Sequence, residues 1–117
     1  MRFNKIIKNL IDSLGPYNPE RIYLFGSWVR DEQDDTSDID IVLIKETNNS
    51  FFERLKEVVP YIAGINRGID ILIYTPQEFK KMLKEGNAFA EMVQDEGVII
   101  YEKKRGRGKK MVSSSAL

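Results

Sequence analysis

The sequence predicts a single α/β domain in which helices pack against a sheet of about four strands. Three observations carry that prediction. Apolar residues recur at helical spacing in some segments and form short β-branched runs in others, and the two kinds alternate along the chain. The 117 residues suit one domain with one modest core. No internal repeat is present.

Phe3, Ile6, Ile7, Leu10, Ile11 and Leu14 recur at helical spacing until Gly15-Pro16 stops the run. Lys8 and Asp12 lie within this stretch, so it reads as an amphipathic helix and not as a signal peptide. Residues 21–25 form a short buried strand ending at Gly26-Ser27, and residues 28–37 are polar, a helical turn followed by a loop. Residues 38–44 make a second strand, apolar apart from its two acids. A polar turn then leads into a helix over 51–62, which Pro60 is expected to bend or shorten. Residues 68–74 are a third strand. Thr75-Pro76-Gln77-Glu78 opens the next helix, with Thr75 as N-cap, Pro76 in the first position and Glu78 in the third. That helix ends near Glu85, before Gly86-Asn87; another covers 88–95, and 98–101 is the last strand.

Charge divides the chain in two. Residues 1–102 hold 12 Lys+Arg against all 18 Asp+Glu, a net −6, while residues 103–117 hold six bases and no acid, a net +6. A domain at 1–102 followed by a basic tail at 103–117 is therefore expected. The tail, KKRGRGKKMVSSSAL, has too few apolar residues to offset the entropy of ordering, which predicts a flexible terminus. It is also the one segment whose charge suits nucleic acid, a partner that the acidic body disfavours. A membrane helix needs roughly 20 apolar residues, and the longest runs here are a few, as at 41–44, so no membrane is expected and the cytoplasm is the default compartment. The chain has no Cys and no His. That removes disulfides, thiol nucleophiles, imidazole bases and nitrogen or sulfur metal ligands. Chemistry here must use carboxylates, hydroxyls, amines and oxygen-bound cations.

Three acids stand where a sheet should not favour them. Asp38, Asp40 and Asp70 each lie among β-branched residues in predicted strands. Side chains alternate along a strand, so Asp38 and Asp40 are expected on one face, roughly 7 Å apart. Two carboxylates that near repel unless a cation lies between them, and oxygen-only ligands select a hard cation, Mg²⁺ or Mn²⁺. Asp70 supplies a third ligand if its strand pairs beside the first. For each acid alone, a strand cap or an exposed edge is the simpler account; the three together favour a metal site. Gly26-Ser27 follows a buried strand and precedes a helical turn, a place where backbone N–H groups can receive an anion such as phosphate. Ser27 adds a hydroxyl, and Arg30 a fixed positive charge one turn later. Trp28 is expected to pack as a hydrophobic cover beside this loop, and Lys45 and Arg67 to be solvated surface charges.

The order of these features resembles a known signature. Gly26-Ser27 after the first strand, ten intervening residues, Asp38-Ile39-Asp40 opening the next strand and Asp70 on a later one match the DNA polymerase β-type nucleotidyltransferases. More narrowly, FGSWVRDEQDDTSDIDIVLI resembles the minimal nucleotidyltransferases of bacteria and archaea, whose usual form is Phe-Gly-Ser-x-x-Arg-Gly…Ser-Asp-x-Asp. The resemblance covers about residues 1–102. Asp31 departs from it, standing where glycine commonly follows the arginine.

The resemblance implies the polymerase β-like fold, with a mixed sheet. It implies two Mg²⁺ ions about 3.5–4 Å apart, replaceable by Mn²⁺, held by Asp38, Asp40 and Asp70 and bridged to ATP. Asp70 would serve the ion that activates an acceptor hydroxyl, and Gly26, Ser27 and Arg30 would hold the phosphates. The reaction would transfer AMP from the α-phosphate and release pyrophosphate. Minimal members commonly pair with a small helical toxin of the HEPN type, which cleaves RNA, and act as its antitoxin. An acceptor on a second chain, either that toxin or a homo-oligomer neighbour, is therefore expected. Two alternatives stand beside this: an antitoxin that binds nucleotide but neutralises its partner by contact alone, and a transferase acting on a small molecule or RNA.

Overall fold

The structure, a computed structural model, describes residues 2–34 and 36–104, with side chains from Lys5 onward. The expectation for the basic tail falls mainly on residues 105–117 and lies outside the described residues. Its first residue, Lys103, donates its backbone N–H to Glu20 O (2.8 Å).

Four helices and four strands follow the predicted order. They are α1 (Arg2–Leu14), β1 (Arg21–Phe25), β2 (Ile39–Ile44), α2 (Phe51–Ile62), β3 (Ile69–Tyr74), α3 (Pro76–Lys84), α4 (Ala88–Glu96) and β4 (Val98–Glu102), with short 3-10 turns at Gly15–Tyr17 and Gly26–Trp28. Local chemistry explains most boundaries. Ser50 and Glu53 form a capping box at the start of α2, as Thr75 and Glu78 do at the start of α3. Asn87 caps α4 by accepting from Ala90 N at 2.9 Å. Pro60 lies inside α2 without ending it at once, and the helix continues only two residues further, to Ile62.

The sheet is mixed, in the order β3-β2-β1-β4. β1 pairs antiparallel with both β2 and β4, and β2 pairs parallel with β3. Alternation sends the two faces of each strand into separate cores. Ile39, Ile41, Leu43 and Ile73 join Leu10 and Leu14 of α1 and Val58 of α2 on one side. Val42 and Ile44 join Phe79 of α3 and Ala90 and Val93 of α4 on the other. The result is a three-layer domain with one helix pair on each face. The central strands β1 and β2 are the part buried on both faces, which accounts for their unbroken apolar runs.

An ion pair between buried Arg54 and half-exposed Glu78 ties the layers together at the C-terminal end of β3. Arg54 is almost fully enclosed, and its guanidinium meets Glu78 with two bonds, Nη1 to Oε1 at 2.7 Å and Nη2 to Oε2 at 3.0 Å. The same group donates to Asn49 O (2.9 Å) and Ile73 O (3.0 Å). Glu78 also receives Thr75 N at 2.9 Å, so one carboxylate neutralises α2 and caps α3. Hydrogen bonding from Arg54 holds the Glu78 carboxyl below its ordinary range, against an opposing effect of desolvation.

A carboxyl stabilised in its charged form adds stability above its unfolded pKa, and that stability is lost as pH falls through the folded value. Glu78→Gln should therefore destabilise the domain at neutral pH, with the gap to wild type closing in acid. Solvent reaches Glu78, whose side chain is 46% exposed, and screens the pair. The expected loss is about 2 kcal/mol, below the range of roughly 3–5 kcal/mol for a fully buried pair. Denaturant melts at neutral pH and near pH 4 check this; an equal loss at both would refute it.

Candidate active site

Strand register gathers the acids at one end of the sheet. β1 brings its C-terminal end there, while β2 and β3 bring their N-terminal ends, with Phe25 opposite Asp40 and Asp40 opposite Asp70. Asp40 shares its side of β2 with Val42 and Ile44, on the α3/α4 face, and the even positions of β3 behave alike. Asp40 and Asp70 are thus neighbours on adjacent parallel strands, about 4.8 Å apart in backbone spacing.

Facing the same side of the sheet from paired positions, the two carboxyls act on each other. The Asp40 carboxyl is raised above its ordinary range, first by burial, then by the hydrogen bond and charge of Asp70, then by the charge of Asp38. Arg30 acts in the opposite direction. Two carboxyls this close favour sharing a proton or taking a cation.

Asp38 is placed differently from the sequence expectation. It stands one residue before β2 rather than inside it, since ladder pairing begins where Ile39 N donates to Gly68 O at 2.9 Å. Its carboxylate lies against Gly68, where an added Cβ would overlap Oδ1. Among the described residues, no three acids stand assembled into a cation cage. Asp40 and Asp70 are brought together, and Asp38 contributes through its charge. The donor set is nevertheless of the kind a hard cation takes: oxygen only, with a paired carboxyl that already favours a positive charge or a proton.

The Gly26–Trp28 turn closes over this pair. Gly26 has φ +79°, and a Cβ there would overlap Asp40 Oδ2, so both backbone conformation and space demand glycine. The turn is held by Val29 N and Arg30 N, which donate to Gly26 O at 3.0 and 3.2 Å, and by Glu32 N, which donates to Ser27 O at 2.9 Å. Ser27 is half-buried within it. Arg30 is exposed and donates from Nε to Glu32 Oε1 at 2.9 Å. Asp31 has φ +60°. The position where the resembling family carries glycine is thus left-handed here as well, and aspartate is among the few side chains that tolerate it.

Sequence reasoning missed one organising residue. Arg67, expected as a solvated charge, donates from Nη1 to Ser37 O at 3.1 Å and stacks over the ring of Trp28 at 5.2 Å. It joins the Gly26–Trp28 turn to the loop that delivers Asp38. That loop is also closed from within, where Asp34 Oδ1 accepts from Thr36 N (2.9 Å) and Ser37 Oγ (3.2 Å). The available signal was position: Arg67-Gly68 directly precedes an acid-bearing strand. Lys45 is also engaged, donating to Tyr17 O at 2.7 Å, but it lies at the opposite end of β2. Trp28 is buried in the core, as expected of a cover.

Residues 4–106 match the family described as polymerase beta, nucleotidyltransferase. The chain belongs to that family, and it is a nucleotidyltransferase, of a family that generally uses ATP and a divalent metal. Two proteins of Methanocaldococcus jannaschii named putative protein adenylyltransferases are similar to it. One is 34% identical over 63% of this chain and 80% of its own length; the other is 30% identical over 68% and 76%. Among solved structures, the fold aligns with a Sulfolobus solfataricus protein named a putative nucleotidyltransferase (TM-score 0.60, 22% identity, 94% of this chain and 90% of that one). It also aligns with a toxin–antitoxin crystal structure containing AMP-PNP (TM-score 0.54, 18% identity, 83% and 73%). The MntA–HpeT toxin–antitoxin structure gives the same TM-score of 0.54 at 18% identity, over 82% and 72%. These likenesses show the mixed-sheet nucleotidyltransferase fold that the sequence leads one to expect.

The two left-handed positions of the turn should respond oppositely. Gly26→Ala meets both a φ that costs an L-residue about 1–2 kcal/mol and overlap with Asp40, so the melting temperature should fall by several degrees. Asp31→Gly relieves the same backbone cost against roughly 0.5–1 kcal/mol of added unfolded-state entropy, so it should be neutral or slightly stabilising. Thermal melts of the two variants decide it, and a stabilising Gly26→Ala would contradict the described turn.

Proposed function

We propose that the chain transfers AMP from ATP to a hydroxyl of a partner protein, and that the partner is a small helical toxin of the HEPN type which the transfer neutralises. The observation that carries the reading is the Asp40–Asp70 pair under Gly26, in a chain whose similar relatives are named protein adenylyltransferases. The toxin–antitoxin structures that share the fold support the choice of partner.

In this reading Asp38, Asp40 and Asp70 hold Mg²⁺, or Mn²⁺ in its place, with Asp38 turning from Gly68 toward the pair. Bound there, the metal supplies charge neutralisation for the phosphates and acidifies the acceptor hydroxyl. Gly26 brings backbone close to the triphosphate because it has no side chain, and Ser27 offers a hydroxyl donor beside it. Arg30, whose charge already reaches Asp40, neutralises part of the charge that develops on transfer. The acceptor oxygen bonds to the α-phosphorus as the bond from that phosphorus to the bridging oxygen of pyrophosphate breaks. The hydroxyl proton passes to Asp70, and pyrophosphate leaves. Arg67 keeps the two halves of the site in register by holding Ser37 and Trp28 together.

The test uses ATP labelled at its α-phosphate, Mg²⁺ and the protein encoded by the adjacent gene. Label should appear on that protein as added AMP on Tyr, Ser or Thr. Asp40→Asn and Asp70→Asn should cut transfer by two orders of magnitude or more. Without metal, each should keep or slightly raise the melting temperature, because removing one carboxylate relieves the repulsion at the pair. A tight complex without label transfer, with Mn²⁺ as with Mg²⁺, would replace catalysis by contact-only neutralisation. Label on RNA or on a small molecule would replace the protein acceptor.

A further inference from the structure

Both acids of Asp38-Ile39-Asp40 lie against a glycine from another element, Asp40 against Gly26 and Asp38 against Gly68. The two glycines differ. Gly26 has the left-handed φ of +79°, which favours glycine whatever surrounds it. Gly68 has no positive φ, so its backbone conformation accepts a Cβ, and the residue is exposed. What a side chain would meet there is Asp38. The three atoms nearest to such a Cβ all belong to it: the Cβ would overlap Oδ1 and lie 2.8 Å from Cγ and 3.4 Å from Oδ2.

Strand register explains the contact. Ile39 pairs with Ile69, and Ile39 N donates to Gly68 O at 2.9 Å, so Asp38 and Gly68 lie side by side one step before the strands begin. One row further in, Asp40 lies beside Asp70. The missing side chain at residue 68 leaves a gap in the first row, and the Asp38 carboxylate occupies it. From there Asp38 reaches Asp40 through its charge, and among the described residues no three acids converge on one point. A third carboxylate at the pair would meet two like charges with no cation between them. Without metal, the gap over Gly68 is the more favourable place.

We propose that Gly68 is a positioning residue for the metal site: its missing side chain gives Asp38 a resting place beside the Asp40–Asp70 pair, and a cation has to draw Asp38 out of it to complete its ligand set. The proposal rests on the reading in which these three acids hold the metal. The resting contact opposes the turn toward the pair, so it lowers the apparent affinity by the fraction of molecules in which Asp38 has already left Gly68. Filling the gap should therefore tighten binding. The obstructing atoms are the end of a short side chain, which turns about χ1 without movement of the backbone. If the resting rotamer holds roughly nine molecules in ten, closing it enriches the others about tenfold.

Titration of the nucleotide-free protein with Mn²⁺, followed by electron paramagnetic resonance, reads affinity without turnover. Gly68→Ala should bind Mn²⁺ about threefold to tenfold more tightly than wild type, with a metal-free melting temperature within a few degrees of it. Asp38→Ala should bind about tenfold more weakly, and in that background Gly68→Ala should change nothing, because the group it displaces is gone. A Gly68→Ala variant that binds no more tightly than wild type, or a gain that persists beside Asp38→Ala, would overturn the proposal. Asp40→Asn separates it from the metal reading itself. Mn²⁺ binding that Asp40→Asn leaves intact defeats both, whereas binding that it abolishes while Gly68→Ala has no effect defeats the proposal alone. The χ1 rotamer of Asp38 in wild type, from three-bond couplings, needs no variant. It should differ between metal-free and Mg²⁺-saturated protein, and an unchanged rotamer would also overturn the proposal.

Discussion

The parallel pairing of β2 with β3 places Asp40 directly opposite Asp70, and much of the site follows from that register. A slip of one residue would send one acid to the α1/α2 face, into the packed apolar core. In register, both face the α3/α4 side at the end of the sheet where no helix covers them fully, and Asp70 remains exposed. The price is electrostatic: the pair disfavours full ionisation and raises the Asp40 carboxyl. The domain tolerates this because the rest of β2 and the centre of the sheet are deeply buried. Ile41, Val42, Leu43 and Ile73 have no exposed surface.

The two ends of β3 therefore treat carboxylates in opposite ways. At its C-terminal end, Glu78 meets a buried guanidinium and its charge is stabilised. At its N-terminal end, Asp70 meets another acid. The first arrangement secures the packing of α2 and α3 onto the sheet. The second leaves an unbalanced negative charge that only an outside proton or cation can relieve, which is what a functional site held on a rigid scaffold looks like. Gly26 belongs to the same logic, since its missing side chain leaves Asp40 Oδ2 room at the turn.

Most of the fold was legible because its signals are local. Capping boxes at Ser50 and Thr75, the Gly15-Pro16 stop and the β-branched runs of β2 and β3 depend on residues within a turn or two. The candidate site residues stood out because acids inside β-branched runs violate strand preference and so call for an explanation. Register was not, because alternation tells which face a residue takes but not which strand lies beside it. The offset of Asp38 follows from a bond to Gly68 thirty residues away, and the role of Arg67 follows from contacts with Ser37 and Trp28. Such long-range contacts leave no periodic trace. Asp31 could be seen as a departure from the family pattern, while its left-handed backbone, which aspartate tolerates better than most side chains, became visible only in the structure.

The electrostatics of the domain bear on how the proposed substrate can bind. Residues 1–102 carry a net −6, and three of their acids, Asp38, Asp40 and Asp70, gather at one sheet end, so a triphosphate approaches against a negative field. Arg30 opposes that field, but it is exposed and already engaged with Glu32, and Gly26 and Ser27 offer only dipoles. In the proposed reading, a cation bound at Asp40 and Asp70 therefore has to strengthen nucleotide binding, and nucleotide has to strengthen cation binding by the same factor, as linkage requires. In that reading the pair favours a proton without metal and would favour the cation once it binds, so the raised Asp40 carboxyl and the proposed metal affinity would express one property of the register. A chain that placed its acids apart would be more stable without metal and would lose the coupling.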